Sequence, residues 1–312
     1  MTRKGAVPCS AFARDPLTVM RCLEPDLHVI CAPNPSPMTG DGTNTYIIGT
    51  DDVCIIDPGP ESDAHFKALV DALHHCGRLR KILVTHSHLD HSPLARRLSH
   101  HSGAPILAFG NSSAGRSDRM ELLAHSGHAG GGEGVDHAFR ADRTLKDNES
   151  IQLGEHELRA IWTPGHFGNH LCFEWRGAVF SGDHVMGWSS TLVSPPDGDM
   201  GAYMRSLDRL EAQMPRRLYP GHGAPVDAPR ARIAELRQHR QAREDAILSQ
   251  LLVGPRTIAQ LVGLIYSDTP PSLHPAASRN IFAHLIDLEE RGVVKSHPEM
   301  STTAIFSCDQ RE

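Results

Sequence analysis

The sequence predicts an α/β fold in which a layered β-sheet domain is followed by a small helical domain. Before Pro229, short apolar runs such as Val53–Ile56, Lys81–Val84 and Ala178–Phe180 alternate with segments of helical periodicity. Each run ends at a turn rich in Gly, Pro or polar residues, as buried strands do. We therefore expect three segments: a leader or edge segment (1–24), a sheet domain (25–228) and a helical domain (229–312).

Within the sheet domain, Thr43–Gly49 alternates like a strand. Ser62–Cys76 predicts a helix whose apolar face comprises Phe66, Leu69, Val70 and Leu73. Further helices are predicted over Ser92–His101 and Ala202–Gln213, and Trp188–Met200 predicts a loop. That loop starts close to a candidate ligand, Asp183, so we expect it to help shape a substrate pocket.

The tail predicts three helices and then two short strands: Ala231–Leu252, Thr257–Tyr266, Pro275–Arg291, Val293–Lys295 and Thr303–Phe306. This order is typical of a winged helix, a fold that often binds DNA. From Arg230 onward, however, ten basic residues are balanced by ten acidic ones, whereas a DNA reader usually has a basic stripe. We expect the tail to pack against the sheet domain, to support substrate shape or to form a homodimer interface.

Composition indicates which binding partners and which cellular compartment to expect. A net charge of −6, from 31 basic and 37 acidic residues, gives no strong attraction to nucleic acid or anionic membranes. No apolar run of about 18 residues could span a bilayer, and Met1–Ser10 lacks the apolar core of a secretory signal. The seven cysteines are odd in number and show no C-x-x-C spacing, which indicates a reducing, cytoplasmic location.

The strongest chemical signal is the segment Thr85–His91, which holds three histidines and one aspartate directly after an apolar run. His86 and His88 are two residues apart, so on an extended backbone they point the same way. Asp90 and His91 can reach a second point. The segment therefore predicts two adjacent metal sites, and two divalent ions roughly 3.5–4 Å apart are a common arrangement for hydrolysis.

Three later turns supply further ligand-type residues. His166, Asp183 and His222 each follow a short strand-like run and a Gly- or Pro-containing turn. Glycine lets the backbone turn sharply and approach an ion closely. Strand ends that carry such residues converge at one edge of an α/β sheet. An ordinary polar loop or glycine turn is the competing interpretation for each residue taken alone.

The order His-x-His-x-Asp-His, His166, Asp183, His222 resembles the metallo-β-lactamase superfamily, whose fold is an αββα sandwich. Val53–Gly59 is similar to that superfamily's first motif, a buried strand closed by Asp-Pro-Gly. The resemblance spans about residues 25–225. With the helical tail, the chain resembles the β-lactamase-like protein 2 group, in which some members resemble single-stranded-RNA nucleases and others thioesterases acting on acyl carrier protein products.

The resemblance implies a role for each residue. The first ion would be bound by His86, His88 and His166, and the second by Asp90, His91 and His222. Asp183 would bridge the two ions. Asp57 would accept a hydrogen bond from a ligand or a loop amide and fix its orientation. Two Zn²⁺ ions are the expected cofactors, although the ligands also suit iron or manganese.

The resulting functional prediction is a binuclear zinc hydrolase that uses a metal-bridging hydroxide on an ester, thioester or lactone. Asp90 is the candidate for orienting the nucleophile and moving its proton. The substrate is expected to be a small molecule rather than nucleic acid or membrane. The alternatives are a single-stranded-RNA endoribonuclease of the same fold, a mononuclear iron sulfur dioxygenase, and a DNA-binding regulator.

Eight of the 21 histidines are expected to lie on the surface without a ligand role: His74, His75, His100, His101, His125, His128, His137 and His239. His170 and His184 lie close to the ligand motifs in sequence. Either could contact substrate, but a hydrogen-bonded loop or core histidine is the commoner case, and we predict a structural role for both.

Overall fold

The computed structural model describes residues 19–308, so most of the segment predicted as a leader lies outside the described residues. The strands are β1 (Arg21–Glu24), β2 (Leu27–Cys31), β3 (Asn44–Ile48), β4 (Asp51–Ile56), β5 (Gly77–Leu83), β6 (Ile106–Ala108), β7 (Arg143–Thr144), β8 (Ser150–Leu153), β9 (His156–Trp162), β10 (Leu171–Trp175), β11 (Ala178–Gly182), β12 (Arg217–Pro220), β13 (Arg256–Thr257), β14 (Val294–His297) and β15 (Ile305–Cys308). The α-helices are α1 (Asp63–Cys76), α2 (Leu94–Ser102), α3 (Asp118–Ser126), α4 (Met200–Ala212), α5 (Pro229–Val253), α6 (Ile258–Ile265) and α7 (His274–Glu290).

Two sheets face each other across a shared core. The first has seven strands in chain order β1 to β7, antiparallel up to β4 and parallel from β4 to β7. The second has five strands in the order β12-β11-β10-β9-β8, with only β11 and β12 parallel. Leu83 of the first sheet and Phe173 and Phe180 of the second lie in the core between the sheets.

Helices cover the outer face of each sheet, which gives an αββα arrangement. Successive strand residues point to opposite faces, so in β4 Cys54 and Ile56 enter the core between the sheets while Val53 and Ile55 pack under α1 and α2. The outer face of the second sheet packs against α4 and α5. Both faces of these strands are therefore buried, which explains their continuous apolar sequence.

The helix boundaries are close to those predicted, but the buried face of α1 is shifted. Ser62 caps the helix by accepting a hydrogen bond from the backbone N–H of His65. The fully buried positions are His65, Leu69 and Ala72, while Phe66, Val70 and Leu73 of the predicted face are only half-buried. Apolar periodicity could not predict that the polar residue His65 is buried on this helix.

One helix was not predicted. The nine-residue α3 starts after the capping residue Ser117 and ends at the left-handed Gly127. Its buried residues, Met120 and Leu123, pack into the core of the C-terminal domain rather than onto the sheets. The helix is too short and too weakly periodic for its partner to be recognised from sequence.

The C-terminal domain has the predicted winged-helix architecture of three helices and a small sheet. The sheet has a third strand, β13, in the order β13-β15-β14. The long α5 serves both domains, since Ile233 and Leu236 pack beneath α4 while Ile247 and Leu251 belong to the C-terminal core. Among the described residues, no helix combines the length and apolar character needed to cross a bilayer.

Candidate metal centre

Turns at one end of the two sheets bring the predicted site residues together. Asp57 follows β4, the segment Thr85–His91 follows β5, and His166 lies between β9 and β10. Asp183 follows β11, and His222 follows β12. All these turns lie where the two sheets meet, so side chains from both sheets enter one cleft.

His86, His88 and His166 form one group of nitrogen atoms. Nε2 of His166 lies 3.1 Å from Nδ1 of His88 and 3.3 Å from Nε2 of His86. The His86 Nε2 and His88 Nδ1 atoms are 2.9 Å apart. Three potential ligand atoms therefore point at a common position, although His166 is 80 residues from His86 in the chain.

Asp90, His91 and His222 form the second group. Oδ2 of Asp90 is 3.2 Å from Nε2 of His222 and 3.5 Å from Nε2 of His91. The two imidazole Nε2 atoms are 3.3 Å apart. His86 and His91 pack ring against ring with centroids 4.3 Å apart, so the two groups are direct neighbours.

Asp183 lies between the groups and presents one oxygen to each. Its Oδ1 is 3.4 Å from Nε2 of His91 and 3.3 Å from Nε2 of His222, whereas its Oδ2 is 3.7 Å from Nε2 of His166. Oδ1 is buried and makes no hydrogen bond of acceptable geometry. A buried carboxylate oxygen without a donor calls for a cation.

Backbone carbonyls fix the orientation of two imidazoles. His166 Nδ1 donates to the carbonyl of Leu192 at 2.7 Å, and His222 Nδ1 donates to the carbonyl of Gly42 at 3.0 Å. A carbonyl can only accept, so Nδ1 carries the proton in both rings. In the neutral tautomer, each Nε2 then holds a free lone pair that faces the cluster.

A relay from Asp57 fixes two more imidazoles. Oδ2 of Asp57 accepts from Nδ1 of His91 at 2.9 Å and from the hydroxyl of Thr85 at 2.8 Å. That hydroxyl has then used its only hydrogen, so it accepts from Nδ1 of His86 at 3.0 Å. Asp57 thereby turns the Nε2 atoms of both histidines into the cleft, as second-layer carboxylates of metal sites do.

When the imidazoles of His86, His91, His166 and His222 are neutral, the hydrogen-bond network leaves an Nε2 lone pair of each facing the cleft. Nε2 lone pairs of His91 and His222 would face each other at 3.3 Å, which is repulsive unless a proton or a metal ion lies between them. Imidazole nitrogens and carboxylate oxygens are ligands of zinc and of other transition metals. The residues present therefore fit a divalent metal pair.

Burial and neighbouring charges shift the pKa values of the site residues in different directions. Burial lowers the pKa of His88 to about 3, and the nearby His166 acts in the same direction. Burial also lowers the pKa of His222, but Asp183 and Asp90 outweigh it and raise the value to about 10. Burial opposes ionisation of Asp183, yet His222 and His91 hold its pKa well below the usual range. Protons and metal ions therefore compete for the second group.

Two glycines leave space for the ligand atoms. A Cβ at Gly221 would lie 2.4 Å from Oδ1 of Asp183 and 2.7 Å from Cε1 of His91. Gly182 has a φ of +47°, and a Cβ there would lie 2.6 Å from Nε2 of His170. A side chain at Gly221 would displace candidate ligand atoms, and one at Gly182 would displace His170 and Thr85, which gives a physical reason for the Pro-Gly-His and Gly-Asp turns.

The two uncertain histidines lie beneath the cluster. His170 and His184 are fully buried, with ring centroids 6.0 Å apart. Nδ1 of His170 bonds to Oγ1 of Thr163 at 2.9 Å, and the His184 ring packs edge-on against Tyr203. Nε2 of His170 and both ring nitrogens of His184 are buried without a hydrogen-bond partner among the described residues, so the structural role stays a prediction. Of the eight histidines expected on the surface, seven are exposed and His239 is half-buried.

Comparisons with known proteins identify the family. Residues 38–222 match the metallo-beta-lactamase superfamily, and residues 257–302 match the beta-lactamase associated winged helix domain. The chain belongs to the metallo-β-lactamase superfamily. It is a hydrolase of that superfamily with a C-terminal winged helix, as the sequence predicted.

Curated relatives are similar in sequence to this metallo-β-lactamase superfamily chain over most of its length. A beta-lactamase-like protein 2 homolog of Drosophila melanogaster is 30% identical over 281 residues, which cover 84% of this chain and 87% of that protein. An atrochrysone carboxyl ACP thioesterase of Aspergillus chevalieri is 26% identical over 270 residues, covering 85% and 79%. The similarity includes the tail as well as the sheet domain.

Solved structures share the fold across both domains. A metallo-beta-lactamase family protein of Thermus thermophilus superposes with a TM-score of 0.74 at 27% identity, covering 92% of this chain and all of that one. A beta-lactamase domain protein of Burkholderia ambifaria gives a TM-score of 0.77 at 21% identity, covering 96% of each chain. In both structures the similarity therefore covers the metallo-β-lactamase domain and extends into the C-terminal domain.

Sequence reasoning missed the groups that orient the candidate ligand side chains. The carbonyls of Gly42 and Leu192 anchor His222 and His166, and the hydroxyl of Thr85 supports His86. Every residue has a carbonyl, so the first two leave no signal in a sequence. Thr85 stood next to the histidine motif, and its position after a strand was the one available indication.

Proposed function

We propose that this protein is a binuclear metal-dependent hydrolase, with zinc as the default metal, acting on a carboxylic thioester or ester. The observation that carries the proposal is the donor set itself: five imidazoles and two carboxylates converge in one cleft, and Asp183 presents one oxygen to each group. His86, His88 and His166 would hold one ion, Asp90, His91 and His222 the other, and Asp183 both.

The metal pair would polarise a substrate carbonyl and acidify a water molecule. Asp90 has the only carboxylate of the cluster with substantial access to the cleft, its side chain being 24% exposed against 10% for Asp183. Burial opposes its ionisation, but His91 and His222 hold its pKa below the usual range. Asp90 is therefore charged at neutral pH and can orient a water molecule by accepting a hydrogen bond from it.

The loops around the cleft favour a neutral or apolar substrate over nucleic acid. None of the surrounding segments contains Lys or Arg: 34–42, 57–62, 85–92, 128–137, 163–170, 183–199 and 220–228. Three arginines reach these loops from the tail, but Arg232, Arg240 and Arg279 each donate to backbone carbonyls. Arg116, from the turn after β6, is paired with Asp197. Nucleic-acid affinity depends largely on basic contacts to phosphates, so RNA is the weaker candidate.

Two exposed apolar side chains lie close in the chain to the candidate ligands. Leu89, between His88 and Asp90, is 51% exposed, and Trp188, five residues after Asp183, is 47% exposed. The Trp188 indole lies over Gly223, beside His222, because a Cβ at Gly223 would be 2.7 Å from Cδ1 of Trp188. Exposed apolar groups around a polar centre are typical of a pocket for an acyl group. The thioesterase named among the relatives supports this choice.

Metal analysis combined with a substrate panel tests the proposal. We expect near two zinc ions per chain, fewer in Asp183→Asn, and no change in Asp52→Asn, a surface control paired with Arg80. Acyl-pantetheine thioesters should be hydrolysed faster than single-stranded RNA or matched amides. About one iron per chain, unaffected by Asp183→Asn and with oxygen-dependent activity, would contradict the proposal and favour sulfur dioxygenase chemistry.

A further inference from the structure

The loop after the bridging aspartate holds one imidazole of the centre. Nδ1 of His166 donates to the Leu192 carbonyl at 2.7 Å, and Oγ1 of Thr191 lies 3.0 Å from the same nitrogen. Both contacts come from two adjacent residues of the 186–199 loop. The direction of the His166 Nε2 atom therefore depends on where this short stretch of backbone lies.

Two residues of the C-terminal helices hold that stretch. Nη2 of Arg240, on α5, donates to the carbonyl of Thr191. Oδ1 of Asn280, on α7, accepts from the backbone N–H of Val193 at 3.1 Å and from Nη1 of Arg240 at 3.2 Å. The peptide groups on both sides of Leu192 are thus bonded to side chains that lie 49 and 87 residues further along the chain.

The Arg240 guanidinium is unusual because it is buried without a counter-ion. Arg240 is 2% exposed, and no carboxylate of the described residues lies within ion-pair distance of it. The Tyr203 ring lies 5.3 Å from its Cζ atom and offers a partial cation–π contact. Burying an unpaired charge is costly, and an apolar residue would fill the space more cheaply if packing were its only role.

Other polar contacts hold the flanks of the same loop. Arg232 of α5 donates to the carbonyls of Met186 and Ser189, each at 2.7 Å. Arg279 of α7 donates to Oγ of Ser194 at 2.8 Å and to the carbonyl of Pro195. The C-terminal helices therefore contact the loop at intervals along most of its length.

We propose that Arg240 and Asn280 are positioning residues for the metal centre, and that the winged-helix domain is a brace for the loop that orients His166. This inference rests on the proposed ligand role of His166. It assigns the tail a function within the chain itself, in place of the nucleic-acid recognition that winged helices often perform.

Metal affinity of single variants tests the brace. Arg240→Met keeps the aliphatic packing but removes both donors, and Asn280→Leu removes the shared acceptor. We expect each to weaken binding of one metal ion about 10- to 100-fold in chelator competition, the range for lost second-layer contacts. The matched control is Arg237→Met on the same helix, whose partners are Asp208 and Glu211 of α4 and not the loop.

A spectroscopic readout and a conservative variant separate positioning from general stability. In the Co²⁺-substituted protein, Arg240→Met should alter the visible absorption of one site, while Arg237→Met should leave the spectrum unchanged. Arg240→Lys keeps the charge and one donor but lacks the two-pronged geometry, so it should recover part of the affinity. Thermal unfolding of the metal-free proteins records any loss of stability independently.

A double-mutant cycle tests the route through Thr191. Thr191→Val removes the hydroxyl next to His166 and keeps the side-chain shape. If Arg240 acts through this stretch, Arg240→Met and Thr191→Val together should lower metal affinity by less than the product of their separate effects. Independent, multiplicative effects would contradict the proposed route.

The outcomes distinguish the inference from the function on which it rests. A wild-type protein that binds no metal would overturn the proposed metal centre. A wild-type protein that binds two ions, with Arg240→Met and Asn280→Leu binding them equally tightly and with unchanged Co²⁺ spectra, would overturn the brace alone. If Arg240→Met fails to fold, Asn280→Leu and Arg240→Lys decide the question by the same readouts.

Discussion

The Asp57 carboxylate accepts a hydrogen bond from Nδ1 of His91 at 2.9 Å, and this contact directs the other imidazole nitrogen of His91 into the cleft. The same carboxylate binds the backbone N–H of Thr85 at 2.7 Å and, through the Thr85 hydroxyl, supports His86. One buried acid therefore orients an imidazole in each of the two ligand groups and ties β4 to the turn after β5.

Asp57→Asn should weaken the binding of both metal ions. The carboxylate accepts three hydrogen bonds, and the amide places N–H donors at one of its two oxygen positions, so His91 or Thr85 loses an acceptor. We expect metal affinity to fall about 10- to 100-fold, measured by chelator competition, while the fold persists by circular dichroism. Equal affinities in Asp57→Asn and wild type would show that the relay does not orient the ligands.

Gly221→Ala adds only one methyl group but should disrupt the metal centre. The added Cβ would lie 2.4 Å from Oδ1 of Asp183, a contact that requires the backbone or the carboxylate to move. We expect loss of at least one bound ion and at least about a 100-fold loss of kcat/KM, since displacements of about 1 Å can have this effect. The control is Gly263→Ala on α6, where a Cβ meets nothing within 4 Å; it should stabilise the helix by about 0.5–1 kcal/mol.

Trp188→Ala should reduce discrimination between acyl chains. If the exposed indole lines an acyl pocket, its loss removes apolar contact from long acyl groups and leaves acetyl thioesters unaffected. We expect kcat/KM for an octanoyl thioester to fall roughly 10-fold or more, with unchanged metal content. Leu252→Ala, an exposed residue on α5, serves as the control. Equal losses for acetyl and octanoyl substrates would place Trp188 outside the pocket.

His65 should make stability depend on pH below neutrality. Burial lowers its pKa to about 4 from an ordinary value of 6.5. Between these values the unfolded chain binds the extra proton, so stability is present above pH 6.5 and is lost as the pH falls toward 4. The maximum contribution is roughly 3 kcal/mol.

Urea unfolding of the metal-free protein at several pH values between 7 and 4 checks this linkage. His65→Gln cannot titrate and can still bond to Oγ1 of Thr45, the partner of His65 at 2.8 Å. Its unfolding free energy should fall less steeply with decreasing pH than that of wild type. Parallel slopes would mean that His65 does not contribute to acid destabilisation.

Much of the fold and of the candidate site could be predicted from the sequence because strands, turns and ligand-type residues follow one another in a clear local pattern. Each proposed ligand follows an apolar strand and a sharp turn, so strand ends and ligand types could be matched without knowing any distance. The boundaries predicted for α1, α4 and α7 lie within two residues of the observed ones, although α7 begins without a side-chain cap. The same arguments failed for α3, whose apolar side chains pack against a domain that follows it by more than 100 residues.

The sequence by itself determined the order and chemical type of the candidate ligands and the two-domain organisation, because these depend on local periodicity and turn chemistry. Its resemblance to the metallo-β-lactamase superfamily implied the fold of the sheet domain. Only the tertiary structure decided which oxygen of Asp183 faces which group, and which carbonyls hold His166 and His222. It alone placed Arg240 against Thr191. Such contacts join residues far apart in the chain through backbone atoms common to all residues, and no local pattern encodes them.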